Sequence, residues 1–360
     1  IPLRLVGSEM CIRDRLKNHH IKSFLWIPYC FILISCTESK RQIVPTPPNV
    51  IIILADDQGW GSTSVQMDLN IPESASDYVK TPNLERLAKK GVVFSNGYAA
   101  SPNCSPTRAS ILTGKTPAQL KITDIINRHE GVLYEGNKLN PPAHLYGLSE
   151  KEITIAELIK TNLPKYKTGH FGKWHLAANG PNAHGFDDSD GETANVEGNT
   201  KINSNPKDIF GITSRSISWM NEQVKSETPF FMQISHYATH LAMESRLETK
   251  NKVKTYVPGN RHSKLGFAAM SEDLDTGIGM LLDQIEKLGI TENTYVIYLG
   301  DNGTYPTKNN SNINGPLHGW KATLWEGGIK VPFMISGPGI EQGYNSESVS
   351  SSCLLYTSDA

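Results

Sequence analysis

The chain has 360 residues, of which 38% are hydrophobic and 20% are charged, a composition typical of a folded globular protein. Its 35 basic and 36 acidic residues give a formal net charge of −1. This balance argues against a surface that binds nucleic acid or a strongly acidic partner, and the length suits one large α/β domain.

Both ends of the chain carry segments that we expect to lie outside the folded domain. Residues 1–15 and 352–360 resemble translated sequencing-adapter sequence, and neither segment has a residue periodicity that matches the segment next to it. Residues 16–36 resemble a bacterial lipoprotein signal peptide, because lysines precede an apolar run that is too short to span a bilayer and that ends at Cys36. Residues 37–48 are rich in proline near their end and are predicted to form a tether.

The signal-peptide interpretation predicts an exported protein, periplasmic or anchored to the outer membrane, whose only contact with the membrane is a lipid on Cys36. A short N-terminal anchor with an unrelated cysteine is the alternative. With both end segments set aside, Cys104 is the one cysteine of the predicted domain, so an internal disulfide is excluded. We expect Cys104 to be a buried apolar residue, an intermolecular link or a functional residue.

The domain, predicted over residues 49–351, begins with the apolar run Val50 to Leu54, which suits a strand covered on both faces. The run ends at Asp56-Asp57. Thr81-Pro82 is predicted to begin a short helix. Residues 91–99 are predicted to form a second strand that leads to Cys104.

Cys104 opens the sequence Cys-Ser-Pro-Thr-Arg, which ends at Arg108 and is followed by Leu-Thr-Gly up to Gly114. Pro106 and Gly114 predict a helix with Cys104 at its N-terminus, where backbone N–H groups and the helix dipole favour an anion. A thiolate beside Arg108 would suit a cysteine hydrolase. The same position suits a bound tetrahedral anion equally well.

The rest of the domain continues to alternate between helices and strands. Ser149 and Glu152 match a capping box before a helix, residues 271–289 have the apolar periodicity of an amphipathic helix, and residues 187–215 carry little periodic signal. Further strands are predicted over residues 166–171, 230–235, 295–299 and 331–336. Polar residues follow these strands: Lys173 and His175, His236 and His240, and Asp301-Asn302.

This alternation predicts an α/β fold with a mixed, mostly parallel sheet and helices on both faces. Ligands bind at the carboxyl ends of the strands in such sheets. Asp56, Asp57, Asp301 and Asn302 follow two of the buried strands, so together they would make an all-oxygen site for a hard divalent cation. Each pair alone would be unremarkable as turn residues.

Five ordered stretches between about residues 48 and 340 resemble the type I, formylglycine-dependent sulfatases of the alkaline phosphatase superfamily. They are NVIIILADDQGWG (49–61), CSPTR with LTG (104–114), TGHFGKWHL (168–176), YLGDNG (298–303) and KATLWEGGIKVPF (321–333). The resemblance implies an alkaline phosphatase-like fold and a sulfuric ester hydrolase. It also implies a smaller C-terminal antiparallel subdomain, which we expect to be truncated in this chain.

The resemblance also implies the chemistry of the site. A formylglycine-generating or anaerobic maturation enzyme would oxidise Cys104 to formylglycine. The hydrated aldehyde would then attack sulfur with one hydroxyl and expel sulfate with the other. The implied ligands of Ca²⁺, with Mg²⁺ possible, are Asp56, Asp57, Cys104, Asp301 and Asn302.

The remaining implied roles fall on five side chains. Arg108 would hold the hydrated aldehyde and neutralise the carboxylates, and Lys173 and Lys321 would contact the sulfate oxygens. His175 would be the base, and His240 would protonate the leaving oxygen. His236 is a rival for that last role, because the Pro residues that the family commonly has around its histidine are absent around His240.

The expected substrate is a sulfated carbohydrate. A second departure from the family precedes Lys321, where His318-Gly319-Trp320 replaces an Arg-Gly-Gly-like segment. His318 or Trp320 would line a sugar site, or Trp320 would pack under a loop. The alternative functions are a formylglycine-dependent phosphonate or phosphate ester hydrolase and a non-catalytic lipoprotein that binds glycans.

Overall fold

A computed structural model describes residues 47–126, 144–305 and 314–351. The predicted signal peptide with Cys36, most of the predicted tether and both adapter-like segments lie outside the described residues. In the part of the chain that the structure describes, no helix is both long enough and apolar enough to cross a membrane.

Eight strands of the described chain form one sheet. They are β1 (Asn49–Ala55), β2 (Gly91–Tyr98), β3 (Lys167–Gly172), β4 (Asp188–Ser189), β5 (Phe230–Ser235), β6 (Thr294–Gly300), β7 (Phe333–Ser336) and β8 (Gly343–Ser350), in the order β4-β3-β5-β1-β6-β7-β2-β8. Strand β7 runs antiparallel to both of its neighbours, and the other pairs are parallel. The predicted mixed, mostly parallel sheet is therefore confirmed.

Helices cover both faces of this sheet. They are α1 (Pro82–Ala88), α2 (Cys104–Thr113), α3 (Pro117–Leu120), α4 (Ile155–Asn162), α5 (Ile209–Lys225), α6 (Leu247–Val253), α7 (Leu265–Lys287) and α8 (Glu326–Ile329). Alternate residues of β1 belong to two separate cores. Ile51 and Ile53 pack with side chains of α1, α5 and α7, whereas Ile52 and Leu54 pack with side chains of α2 and α4. The central strand is thus buried on both faces, as its continuous apolar run predicts.

The predicted capping box before α4 is wrong in position. Thr154, not Ser149, caps the helix: its side chain accepts from the backbone N–H of Glu157 (3.3 Å), and the Glu157 carboxylate accepts from the backbone N–H of Thr154 (2.7 Å). Glu152 instead pairs with Lys115. Residues 149–152 and 154–157 both fit the capping-box pattern. Only the packing of α4 on the sheet decides which of the two caps the helix.

The cap of α1 comes from a distant helix. Thr81 occupies the N-cap position, but its hydroxyl accepts from the backbone N–H of Ser64 (2.9 Å) and makes no cap bond. The buried carboxylate of Asp275 in α7 accepts from the backbone N–H groups of Asn83 (3.0 Å) and Leu84 (2.9 Å). Burial raises the pKa of Asp275 to about 6, against the opposing effect of these hydrogen bonds. Asp275 thereby joins α1 to α7.

Replacing Asp275 with Ala is expected to lower the free energy of unfolding by about 2 to 4 kcal/mol, because it leaves buried N–H groups without acceptors. Urea denaturation measures this change. The matched control is Asp283→Ala, also on α7, since Asp283 is 71% exposed and bonds Arg86 of α1 at the surface. Its expected cost is below about 0.5 kcal/mol, so equal losses in the two variants would contradict the capping role.

Candidate active site

The topology brings four strand ends to one edge of the sheet. Strands β3, β5, β1 and β6 are consecutive and parallel, so the residues that follow them are neighbours. Asp301 donates its backbone N–H to the carbonyl of Ala55 (3.0 Å), which places it beside Asp56. Lys173 donates its backbone N–H to the carbonyl of Ser235 (2.8 Å), at the end of β5.

Strands β2 and β7 bring two further segments to the same edge. Strand β2 is antiparallel to β7 and leads into α2, whose first residue is the buried Cys104. The helix ends at Gly114 with φ 69°, so the predicted helix with Cys104 at its N-terminus is confirmed. Because β7 runs in the opposite direction to β6, the segment that precedes β7 also lies at this edge, and it carries Lys321.

Three predicted metal ligands converge tightly. Ligand atoms of Asp56, Cys104 and Asp301 all lie within 4.8 Å of one another, and all three side chains are buried. Asp57 is outside this group of three but adjoins it, because its backbone N–H donates to Asp301 Oδ1 (3.0 Å). Asn302 Nδ2 donates to Asp57 Oδ1 (2.7 Å), which brings the fifth predicted ligand to the same cluster.

Two oxygens of this cluster accept no hydrogen bond. Asp56 Oδ1 and Asn302 Oδ1 are both buried without a donor, and Arg108 Nη2 lies 3.8 Å from Asp56 Oδ1. Buried oxygens of this kind are costly unless a donor or a cation satisfies them. Carboxylate and amide oxygens are the ligands that Ca²⁺ and Mg²⁺ prefer, so the residues present fit a hard divalent cation.

Each carboxylate of the cluster has its own cationic partner. Lys173 Nζ lies 2.5 Å from Asp56 Oδ2, and Lys321 Nζ lies 2.6 and 2.8 Å from the two oxygens of Asp57. Arg108 donates to Asp301 Oδ2 through Nε (3.1 Å) and Nη2 (2.8 Å), and its Nη1 donates to the carbonyl of Lys173 (2.7 Å). Three carboxylates and three cations are thus buried together.

The buried charges shift the pKa values of several groups. Burial would raise the pKa of Asp56, but Lys173 and other cations outweigh it and hold that pKa well below its usual value. Burial and the nearby Asp56 charge raise the pKa of Asp301 to about 7. Burial also raises the pKa of the Cys104 thiol, and Lys173 and Lys321 only partly oppose it. The thiol is therefore neutral at pH 7, which does not suit the thiolate nucleophile of a cysteine hydrolase.

His175 lies two residues beyond Lys173, in a left-handed backbone conformation with φ 57°. Its backbone N–H donates to the carbonyl of Thr193 (2.7 Å), and its buried Nδ1 has no hydrogen-bond partner. Burial, reinforced by Lys173 and Arg108, lowers the pKa of His175 to about 2. The ring is therefore neutral at pH 7.

The structure distinguishes the two rival histidines after β5. His236 is 2% exposed, and burial lowers its pKa to about 4. His240 lines the cavity described below, with Nε2 3.8 Å from Asp57 Oδ2. Its Nδ1 lies 2.6 Å from the carbonyl of Leu241, so Nδ1–H donates and Nε2 is left to exchange a proton. Of the two histidines, only His240 is therefore among the residues that line the cavity.

Two threonines that the sequence analysis missed hold the site together. The Thr193 hydroxyl donates to the carbonyl of Gly172 (2.7 Å) and accepts from the backbone N–H of Trp174 (2.9 Å), which fixes the segment that carries Lys173 and His175. The Thr239 hydroxyl donates to the backbone carbonyl of Asp56 or Asp57, at 3.2 and 3.1 Å. Neither has a local sequence signal, because each acts on residues distant in the chain.

A cavity of about 540 Å³ opens onto this cluster. Its lining includes four of the candidate site residues: Asp57, His175, His240 and Lys321. Apolar and aromatic side chains line it as well, among them Ile125, Ile126, Val196, Leu241 and Tyr305. The combination of the Lys321 ammonium group, two neutral imidazoles and apolar walls suits a small anionic group attached to a less polar body.

Comparison with known proteins relates this chain to one protein family. The sulfatase family model matches residues 48–358. The chain is 30% identical to the ulvan-active sulfatase of Formosa agariphila over 346 residues, which are 87% of this chain and 61% of that protein. It is 29% identical to N-acetylgalactosamine-6-sulfatase of Canis lupus familiaris over 346 residues, covering 87% of this chain and 62% of that one.

A solved structure supports the fold. The crystal structure of Ps i-CgsB in complex with k-i-k-neocarrahexaose has a TM-score of 0.69 and 24% identity, and the match covers 86% of this chain and 70% of that one. The chain spans about 61% of the length of the first curated relative, so the residues described here correspond to part of a longer relative. The ordered motifs, the sheet topology and the family match agree, and the chain belongs to the sulfatase family.

Proposed function

We propose that this protein hydrolyses sulfate esters and that its substrate is a sulfated carbohydrate. One observation carries the proposal: Cys104 begins a buried helix within 4.8 Å of two carboxylates, and buried Lys173 and Lys321 pair with Asp56 and Asp57 of the same cluster. Cations gathered around one small residue suit the transfer of an anionic group. The family match supports the same reaction.

Two groups complete the proposed site. Asp56, Asp57, residue 104, Asp301 and Asn302 would hold Ca²⁺ or Mg²⁺, which when bound supplies positive charge against the negative charge that develops in sulfate transfer. Oxidation of Cys104 to formylglycine supplies an aldehyde whose hydrate carries two hydroxyl groups, one to attack sulfur and one whose deprotonation expels sulfate. The unpartnered oxygens of Asp56 and Asn302 support the cation.

The three basic side chains of the site would have separate roles. Arg108 fixes Asp301 through two hydrogen bonds and keeps the carboxylates close to residue 104. Lys173 and Lys321 would contact the sulfate oxygens, where negative charge increases during transfer. Lys321 also lines the cavity, so its ammonium group is within reach of a ligand there.

The two histidines would move protons. His175 is buried with an unpartnered Nδ1, and this free ring nitrogen supports the proposed role as the base that acts on residue 104. His240 keeps its Nδ1 on the carbonyl of Leu241, so a proton carried on Nε2 can pass to the leaving oxygen in the cavity. His236 would then be structural.

The relatives support a sugar substrate, because two of them are an ulvan-active sulfatase and an N-acetylgalactosamine-6-sulfatase. The sequence of residues 16–36 supports export and lipidation at Cys36, which would place the enzyme in the periplasm or on the outer membrane.

The first test is peptide mass spectrometry across residue 104 after expression of the full chain with a maturation enzyme. We expect a mass loss that matches conversion of the Cys104 thiol to an aldehyde, together with sulfate release from sulfated sugars. Cys104→Ala is expected to lose both signals. An unmodified thiol, under conditions that convert a control sulfatase, would contradict the mechanism and favour a glycan-binding protein. Faster release from phosphonate esters than from sulfate esters would favour the phosphonate hydrolase.

His240→Gln is expected to lower kcat about 100-fold on a sulfated sugar, because the sugar alkoxide is a poor leaving group that needs a proton. The loss on 4-nitrophenyl sulfate should be less than about tenfold, since the phenolate leaves without protonation. The control is His236→Gln, which should change stability more than kcat. Equal losses of His240→Gln on both substrates would contradict the role of a proton donor.

Removal of divalent cations with a chelator is expected to abolish activity and to lower Tm by about 5 °C, because bound cations stabilise the folded state that holds them. Thermal unfolding with and without added Ca²⁺ measures the shift. Asp56→Asn should lose most of this shift. Asp190→Asn should keep it, because Asp190 pairs with Arg215 outside the cluster. A shift that survives in Asp56→Asn would place the cation elsewhere.

A further inference from the structure

One wall of the cavity is a loop with little packing of its own. We call residues 193–200 the cavity loop. Ala194, Asn195 and Val196 of this loop line the cavity, and Asn195 Oδ1 is buried there without a hydrogen-bond partner. Val196 is 70% exposed, and Gly198 is the only fully buried residue of the loop. Because so little of the loop is buried, hydrogen bonds must fix the position of this wall.

The buried residue Lys207 holds the cavity loop at Asn199. Lys207 is 1% exposed, and its Nζ donates to Asn199 Oδ1 (2.9 Å). The backbone N–H of Asn199 in turn donates to the carbonyl of Val196 (3.0 Å), one of the residues that line the cavity. Two consecutive hydrogen bonds therefore connect the Lys207 ammonium group to the cavity wall.

The burial of this ammonium group is unusual, because no carboxylate balances it at close range. Within the described residues, no carboxylate oxygen lies within 4.0 Å of Lys207 Nζ, whereas Lys173, Lys321 and Arg108 each pair with a carboxylate. A buried ammonium group is costly, but the hydrogen bond that it donates is stronger than a neutral one. A methionine of similar length would fill the space without that cost, so the charge of Lys207 points to the bond with Asn199.

The charges around Lys207 connect it to the same region of the molecule. Burial lowers the pKa of Lys207, whereas the carboxylates of Glu244, Asp56 and Asp57 act in the opposite direction and favour the charged form. The Glu244 carboxylate accepts from the backbone N–H groups of Lys201 (3.1 Å) and Lys207 (3.3 Å). Glu244 thereby fastens the chain on the C-terminal side of the cavity loop, and Lys207 fastens the loop itself.

We propose that Lys207 is a positioning residue, which acts through Asn199 to hold the cavity loop where it contacts bound substrate. Because Lys207 is buried, its effect on the substrate is indirect. The loop would contact the body of the substrate equally before and during sulfate transfer, so loosening it should weaken binding more than it slows the reaction. This inference rests on the proposed function, because it takes the cavity as the place of the substrate.

The test separates KM from kcat on a sulfated sugar. Asn199→Ala is expected to raise KM about three- to tenfold and to change kcat less than about twofold. Asn199 is exposed, so this variant should fold as the wild type does. Asn199→Asp should keep the wild-type KM, because a carboxylate still accepts from Lys207. The control is Lys201→Met, which should change KM less than about twofold, since Lys201 is exposed and the substitution keeps its backbone N–H on Glu244.

A double variant tests whether Lys207 acts through Asn199. Lys207→Met should raise KM by about the same factor as Asn199→Ala, and the two changes together should raise it no further, because both remove the same hydrogen bond. Multiplied effects on KM would contradict the proposal. A wild-type KM in Asn199→Ala would overturn it as well, even if Lys207→Met fails to fold, because Lys207 would then serve stability alone.

Hydrogen exchange of the full chain measures the cavity loop without any substrate. In Asn199→Ala we expect the amides of residues 193–200 to exchange about three- to tenfold faster, and those of β5 to exchange at the wild-type rate. If the loop exchanges faster but no sulfate is released from any substrate, the proposed reaction is wrong and the positioning role stands. If Asn199→Ala releases sulfate with wild-type KM and wild-type exchange, the reaction stands and the positioning role is wrong.

Discussion

Three carboxylates buried at one edge of the sheet need cationic partners once water is excluded, and the rest of the site depends on that requirement. Asp56 pairs with Lys173, Asp57 with Lys321, and Asp301 with Arg108. The three cations come from α2, from the segment after β3 and from the turn before β7. Removing one would leave a buried charge without its partner. Charge balance therefore holds together parts of the chain that are more than a hundred residues apart, and it keeps Cys104 beside two carboxylates.

The reversed direction of β7 decides what reaches this edge. In a fully parallel sheet the carboxyl ends of all the strands would lie at this edge. The segments that precede the strands would then lie at the opposite edge. Because β7 is antiparallel, its preceding turn arrives among the carboxyl ends of β1 and β6. One short turn can then direct Lys321 inward to Asp57 and expose Trp320 and Trp325 outward.

Much of this could be predicted from the sequence where the signal is local. The apolar run of β1, the helix that begins at Cys104 and ends at Gly114, and the long helix α7 follow from periodicity and from the residues that start and stop helices. Local rules failed where two segments satisfied the same rule, as with Ser149 and Thr154. They also failed where a distant residue took over a local task, as Asp275 does for α1.

The sequence by itself determined which residue types follow each strand, and hence that acidic, cationic and imidazole groups would meet at one sheet edge. It also carried the ordered motifs of the sulfatase family. Only the tertiary structure decided which carboxylate pairs with which cation, that His240 lines the cavity whereas His236 is buried, and that Thr193 and Thr239 support the site. The physical reason is that pairing, burial and exposure depend on distances between residues far apart in the chain, which sequence patterns of a few residues do not encode.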